Sequence, residues 1–452
     1  MEVKNVIDRS DTKQMEFPKL FVRTQKHMSK NCSILIDAID KNKKDSNAMK
    51  QLENYIRKYL QDRKLVAEDM TLDETVKQLI NEMTQFSILN EYLDPGRSDI
   101  EEININAWDD VKVSYSDGRI ERAAHFYSPK HCEDIIRKLL RQESKITFDK
   151  SRPIVRSHLN ENIRITVIGG ECVDRAVGLA ASIRIINPKH FRKEDFVQKG
   201  TITEEMLNLL TALFLNGVSM CVTGETGSGK TTIMSYLLEQ IPYHKRVITI
   251  EEDVREFTLV RRNEKGEVQN NVIHMVTKKS EDMTLAVDQE KLLETAMTMN
   301  PDFICVAEMK GKEALAAQEA ANTGHTVVTT THARSCRLTY DRMASLCKNG
   351  NDDSKTLVNM AKNAFPIVIF IKKYPDNVRR VEEMTECIMK ENGTCQINTL
   401  YQFVVKKNTT DEAGRIRLEG IFEKKNNISQ YMQKVLKEGA VDSQLIKNIM
   451  EG

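Results

Sequence analysis

Gly224-Glu225-Thr226-Gly227-Ser228-Gly229-Lys230-Thr231 is a complete G-x-x-x-x-G-K-[ST] phosphate-binding loop. The apolar run Val218–Thr223 precedes it and suits a buried strand, and Thr232–Gln240 follows it and suits a helix. That strand–loop–helix setting is what the motif requires. Gly224, Gly227 and Gly229 let the backbone curl so that its N–H groups face phosphate oxygens, and the helix start adds its positive dipole end. Lys230 is placed to reach the β- and γ-phosphates, and the Thr231 hydroxyl to hold Mg²⁺. The loop as a whole, Gly224 to Thr232, is the expected ATP site.

Outward from the loop, strands alternate with helices. A helix starts near Thr203, and strands are expected at 218–223, 246–251, 303–307 and 326–330, with helices at 230–240, 289–299 and 312–321. This alternation predicts a mainly parallel sheet covered on both faces. After 364 the pattern is mostly strands (367–371, 381–388, 399–405, 416–422), then a helical tail from Ser429.

A phosphate loop needs a group that activates water. Glu251-Glu252-Asp253, with Glu256 close behind, ends the strand 246–250, and Glu308 ends the strand 303–307. A carboxylate beside the γ-phosphate polarises an attacking water or holds Mg²⁺ through its waters, so Glu308, Glu252, Asp253 and Glu256 are candidates. His325 and His332 bracket the β-branched run Thr326–Thr331. Their spacing puts them at opposite ends of a strand, which argues against one shared metal.

The N-terminal half reads differently. Residues 1–47 are polar and weakly periodic, a loosely ordered leader with one helix expected near Cys32–Ile39. Residues 48–96 show helical spacing, and 97–187 read as a small α/β domain with strands, a Ser116-Asp-Gly118 turn and a helix over 131–140. A charged linker at 188–200 leads into 201–452.

The chain has 452 residues and a net charge of +1, so no global basic field points to nucleic acid or an anionic membrane. Its nine cysteines are scattered with no C-x-x-C pair, which predicts reduced thiols and neither a disulfide scaffold nor a zinc site. No run approaches the ~20 apolar residues of a membrane-spanning helix, and no signal peptide is expected at the N-terminus.

The order of these motifs resembles the type II/IV secretion-system ATPases that also drive pili. The phosphate loop, Ile250–Glu256, Asn300–Glu308 and Thr323–His332 look like that family's Walker A loop, Asp box, atypical Walker B and His box. Asp99–Asn106, Val111-Lys-Val113, Asp117-Gly118 and Arg379–Glu386 extend the likeness on both sides. Asn271-Val272-Ile273, followed by Lys278, looks nearest to the Flp/Tad pilus branch. Lys310 and Lys278 stand where the family has Arg, and Thr298 and Asn300 take places often held by Arg. Lysine is not a neutral exchange for arginine in bidentate contacts.

The resemblance implies a RecA-like P-loop ATPase core, preceded by the small α/β N-terminal domain and a helical leader. It assigns catalytic work to Glu308, Glu252, Asp253, Glu256, His332 and His325, and phosphate contacts to Arg164 and Arg184. It implies a homohexameric ring that uses Mg²⁺ and ATP on the cytoplasmic face of a membrane, docked through a polytopic platform protein. Two other classes stay open: a RecA-like nucleic-acid motor, and an ATP-binding ring scaffold with weak hydrolysis. The balanced charge and single Trp weigh against the first, and the departures at arginine positions keep the second in view.

Overall fold

A computed structural model describes residues 13–32, 35, 39, 46–94, 96–97, 99–160, 163–185, 191–253, 255–278, 284–348, 353–390, 394–410, 414, 416–439 and 441–451. The chain divides into two compact units, residues 1–187 and 188–452.

In the first unit, β1 (Lys13–Met15) pairs in parallel with β2 (Leu65–Ala67). Helices Phe17–Asn31, Ser46–Asp62 and Leu72–Thr84 bury Leu20, Phe21, Met28, Leu52, Ile56, Leu60 and Leu79 in one cluster. The stretch read as a loose leader therefore carries an ordered helix in its described part. Pro18 sits in its first turn, where a missing N–H costs nothing, and its apolar residues recur at helical spacing. The helix expected near Cys32–Ile39 falls mostly outside the described residues. Thr71 and Glu74 form a capping box that starts the helix Leu72–Thr84.

The same unit holds β3 (Ile100–Ala107), β4 (Asp110–Tyr115), β5 (Ile120–Arg122), β6 (Ile154–Asn160), β7 (Ile163–Gly169) and β8 (Leu179–Ile185). They form an antiparallel sheet in the order β5-β4-β3-β8-β7-β6. Its strands alternate: Val155, Leu159, Ile165, Val167 and Ile183 turn inward against Cys132, Ile135, Ile136 and Leu139 of the helix Pro129–Leu139. Arg156, His158, Arg164 and Arg184 lie on the other face.

The second unit is built on β9 (Met220–Gly224), β10 (Arg246–Glu251), β11 (Asn271–Val276), β12 (Phe303–Val306), β13 (Thr326–Thr331), β14 (Ile367–Lys373), β15 (Arg379–Met389), β16 (Cys395–Thr410) and β17 (Ile416–Lys424). They form one sheet in the order β11-β10-β12-β13-β9-β14-β15-β16-β17. The run from β11 to β14 is parallel, and β15 to β17 is antiparallel. The central strands are buried along their whole length. Val222, Cys305 and Val328 face one side, packed with helices Glu204–Leu215 and Lys230–Glu239. Cys221, Ile304, Val306 and Val327 face the other, packed with helices Gln289–Met297, Glu313–Asn322, Cys336–Cys347 and Ser354–Ala364. This is the RecA-like α/β core, with the phosphate loop at the C-terminal end of β9, where the chain leaves the strand to return three places away as β10.

One expectation is overturned: Cys387 and Cys395 are joined by a disulfide. The hairpin of β15 and β16 folds them together, with Met389 opposite Cys395, and their Cα atoms lie 6.3 Å apart. Spacing along the chain carries no sign of that pairing, because strand register decides it. The seven other cysteines are free thiols. Among the described residues no helix is long and apolar enough to cross a membrane.

Candidate functional site

The phosphate loop takes its shape from glycine. Gly224, Gly227 and Gly229 have φ of 153°, 74° and 100°, in the region that disfavours side chains. A Cβ on Gly224 would stand 2.2 Å from the Ile371 carbonyl oxygen of the neighbouring strand. Glu225, Thr226 and Gly227 form the exposed tip, whereas Ser228 is fully buried inside the curl. The helix Lys230–Glu239 starts at once, with Thr231 and Thr232 half-buried in its first turn.

Lys230 is buried although charged. Its ammonium donates to the carbonyls of Gly224 at 3.0 Å and Glu225 at 2.9 Å, and lies 3.4 Å from His332 Nδ1. His332 follows the end of β13, level with the loop because Thr331 pairs with Thr223. Its Nδ1 is 3.1 Å from the Gly224 oxygen and its Nε2 is 2.6 Å from Glu308 Oε1. Lys230, His332 and Glu308 thus form a continuous chain of contacts at the mouth of the loop.

Backbone and hydroxyl contacts hold these side chains in place. Ala307 N–H donates to the Ile250 carbonyl and Met309 N–H to that of Thr330. The Thr330 hydroxyl donates to the Ala307 carbonyl at 2.7 Å and that of Thr331 to the Met309 carbonyl at 2.9 Å. The β-branched threonines favour a strand and cross-link the two segments that carry Glu308 and His332.

Beside Glu308 lies the loop after β10. Lys310 Nζ pairs with Glu252 and lies 3.9 Å from Glu308 Oε2. Burial alone pulls the Lys310 ammonium down, but Glu252, Glu308 and Asp253 outweigh it, and its pKa lies above the ordinary lysine value. Asp253 takes a left-handed backbone conformation (φ 60°) and its N–H donates to the Thr277 hydroxyl at 3.0 Å. Glu251 is wholly buried and is a structural anchor: it accepts the Thr249 hydroxyl and the backbone N–H groups of Glu256 and Phe257. Glu252, Asp253 and Glu256 are therefore carried on a turn whose pivot is Glu251.

His325 is not part of this cluster. It precedes Thr326, which pairs with Phe303 at the opposite end of the sheet from the loop. The length of β13 separates it from His332, on the order of 20 Å for a strand of that length. Arg164 and Arg184 pair directly across β7 and β8 in the first unit. Like charges placed opposite one another are unfavourable in a sheet.

Sequence reasoning leaves out two residues of this site. Arg379, the first residue of β15, donates from Nε to the Gly227 carbonyl at 2.8 Å and clasps the loop tip. Glu251 enters the Asp box only as a neighbour of the candidates. Arg379 is visible in the sequence as part of Arg379–Glu386, but nothing local ties it to a loop 152 residues away.

The family model described as "Type II/IV secretion system protein" matches residues 97–449. The chain is 33% identical over 162 residues to the type IV secretion system protein PtlH of Bordetella pertussis, covering 35% of this chain and 46% of that protein. It is 31% identical over 221 residues to VirB11 of Brucella suis, covering 43% and 58%. The chain thus spans about half the length of these curated relatives. Among solved structures, it is similar to the VirB11 ATPase of Brucella suis in complex with sulphate, at 22% identity and a TM-score of 0.33, covering 66% of this chain and 95% of that one. It is also similar to the pilus retraction motor PilT with bound ADP, at 16% identity and a TM-score of 0.45, covering 81% and 89%.

Proposed function

This chain belongs to the type II/IV secretion system protein family, and from that membership and the site's geometry we propose that it is the ATP-hydrolysing motor of a secretion or pilus system. The observation that carries the reading is the convergence of the phosphate loop, Lys230, His332 and Glu308 at one end of one parallel sheet.

The residues fit Mg-ATP. At Gly224 the neighbouring strand comes so close that no Cβ fits, which keeps that point of the loop bare backbone. Lys230 rests on two neutral carbonyls, and phosphate oxygens make stronger, charge-assisted acceptors for the same ammonium. The Thr231 hydroxyl, half-buried in the first turn of the helix, would hold Mg²⁺. Bound Mg-ATP supplies the transferable γ-phosphoryl group and the divalent charge that neutralises its oxygens.

In this reading Glu308 orients and polarises the attacking water, and His332 holds Glu308 toward it. Glu252, Asp253 and Glu256 border the same space on the turn anchored by Glu251. Arg164 and Arg184 reach the nucleotide phosphates from the N-terminal domain, 97–187, when the linker at 188–200 closes as a hinge. What supports that role is their placement: they lie directly opposite one another on β7 and β8, on the face turned away from the hydrophobic core. The working unit is a homohexameric ring, docked on the cytoplasmic side of a membrane through a polytopic platform protein.

Replacing Lys230 with Ala tests the reading. Most ATPase activity disappears and ATP affinity falls in a calorimetric titration while the thermal unfolding curve keeps its cooperativity. Unchanged affinity together with unchanged turnover would refute it.

A further inference from the structure

Residues 307–311 are held by backbone hydrogen bonds at Ala307, Met309, Lys310 and Gly311. Besides the contacts of Ala307 and Met309, the backbone N–H groups of Lys310 and Gly311 both donate to Glu313 Oε1, at 2.6 and 2.7 Å. Glu313 is itself buried. The Lys310 backbone therefore has little freedom, and its side chain reaches Glu252 from the turn after β10 and Glu308 two residues back.

We propose that Lys310 is a positioning residue for hydrolysis: its ammonium, held between Glu252 and Glu308, fixes the direction of the Glu308 carboxylate and links the turn after β10 to the phosphate loop through His332. This rests on the reading of Glu308 as the water-polarising group. The connection runs Glu252, Lys310, Glu308, His332, Lys230, so it joins the two carboxylate loops to the group that meets the phosphates. A planar guanidinium pairs best with one carboxylate, edge to edge in a common plane, whereas a compact ammonium serves two carboxylates set at different angles. Lysine here, where the family pattern has arginine, suits that bridging geometry.

The pair with Glu252 does little for folding. Lys310 and Glu252 side chains are 48% and 36% exposed, and ion pairs of that exposure contribute little to stability. Its consequence is thus expected in turnover.

The test compares Lys310→Met, Glu252→Gln, the double variant and Glu308→Gln in the full chain, with kcat, KM for ATP and melting temperature measured for each. Lys310→Met and Glu252→Gln each lower kcat roughly tenfold or more, the scale of a misdirected catalytic group, with KM and melting temperature little changed. The double variant is no slower than Lys310→Met, because both changes break one linkage. Lys310→Arg, which keeps the charge, recovers part of kcat. Wild-type kcat in Lys310→Met alongside an inert Glu308→Gln overturns the role of Lys310 alone. Full turnover in Glu308→Gln overturns the underlying reading. Independent, multiplying losses in the double variant, or a loss confined to melting temperature, also overturn the proposal.

Discussion

At the residue scale, the role proposed for Glu308 depends on where its strand ends. Phe303–Val306 is buried throughout, and the chain surfaces at Ala307 and Glu308 beside the loop that β9 delivers. Ala307 stands where the family pattern's ordinary Walker B has its carboxylate, and the proposed function assigns the catalytic role to the glutamate that follows. Glu308→Gln keeps the shape and the His332 contact but removes the negative charge. Turnover is expected to fall by about 10²-fold or more, the usual scale for losing a base-type group, while ATP binding persists in equilibrium titration. Wild-type turnover in this variant transfers the role to Glu256 or to the Glu252–Asp253 pair.

At the element scale, the turn between β14 and β15 holds the loop-clasping Arg379. Asp376 and Arg380 form a bidentate pair across this turn, at 2.7 and 2.9 Å, with both side chains less than a tenth exposed. The Arg380 guanidinium also lies over the rings of Tyr374 and Phe403. Burial pushes the Asp376 carboxyl up, but Arg380 and the Val378 N–H more than offset this, and its pKa lies below the ordinary carboxylate value. A carboxyl whose folded pKa is depressed adds stability above its unfolded pKa of about 3.9. That contribution is lost as pH falls through the lower folded value. Arg380→Ala strands a buried carboxylate and is expected to cost about 3–5 kcal/mol at neutral pH. Denaturant unfolding of the variant checks this, and the deficit shrinks as the pH falls toward Asp376's folded pKa. A deficit independent of pH would assign the loss to packing against Tyr374 and Phe403 instead.

At the scale of the whole molecule, the chain divides into two compact units, and most of the stretch expected to be a linker, 188–200, belongs to the second: Lys193–Gln198 is a helix whose Phe196 is buried in that unit's core. The phosphate loop belongs to one unit, and the paired arginines of β7 and β8 to the other. On the proposed function, in which these arginines complete the nucleotide site, nucleotide binding is expected to favour assembly. Light scattering with a non-hydrolysable ATP analogue is expected to show six-subunit rings, and a strict monomer at every concentration would contradict this. Membrane sedimentation is expected only when the platform partner is present. Its persistence in cells lacking that partner would point to a lipid-binding surface on the chain itself.

The sequence by itself determines the parallel core and most of its site. The glycines of the loop, the all-apolar strands and the carboxylates at their ends are short-range signals, because backbone conformation and strand burial depend on residues a few places apart. The strand β11 and the helices Cys336–Cys347 and Ser354–Ala364 carry weaker local patterns and emerge only when the sheet's far edge and outer face need cover. Tertiary structure alone decides which charged groups meet. It turns Glu251 from a candidate's neighbour into the pivot of a loop. It sets Lys310 between two carboxylates and brings Arg379 to the phosphate loop. These contacts depend on strand order and register, which arise from burying both faces of one sheet at once and leave no trace in the spacing of residues along the chain.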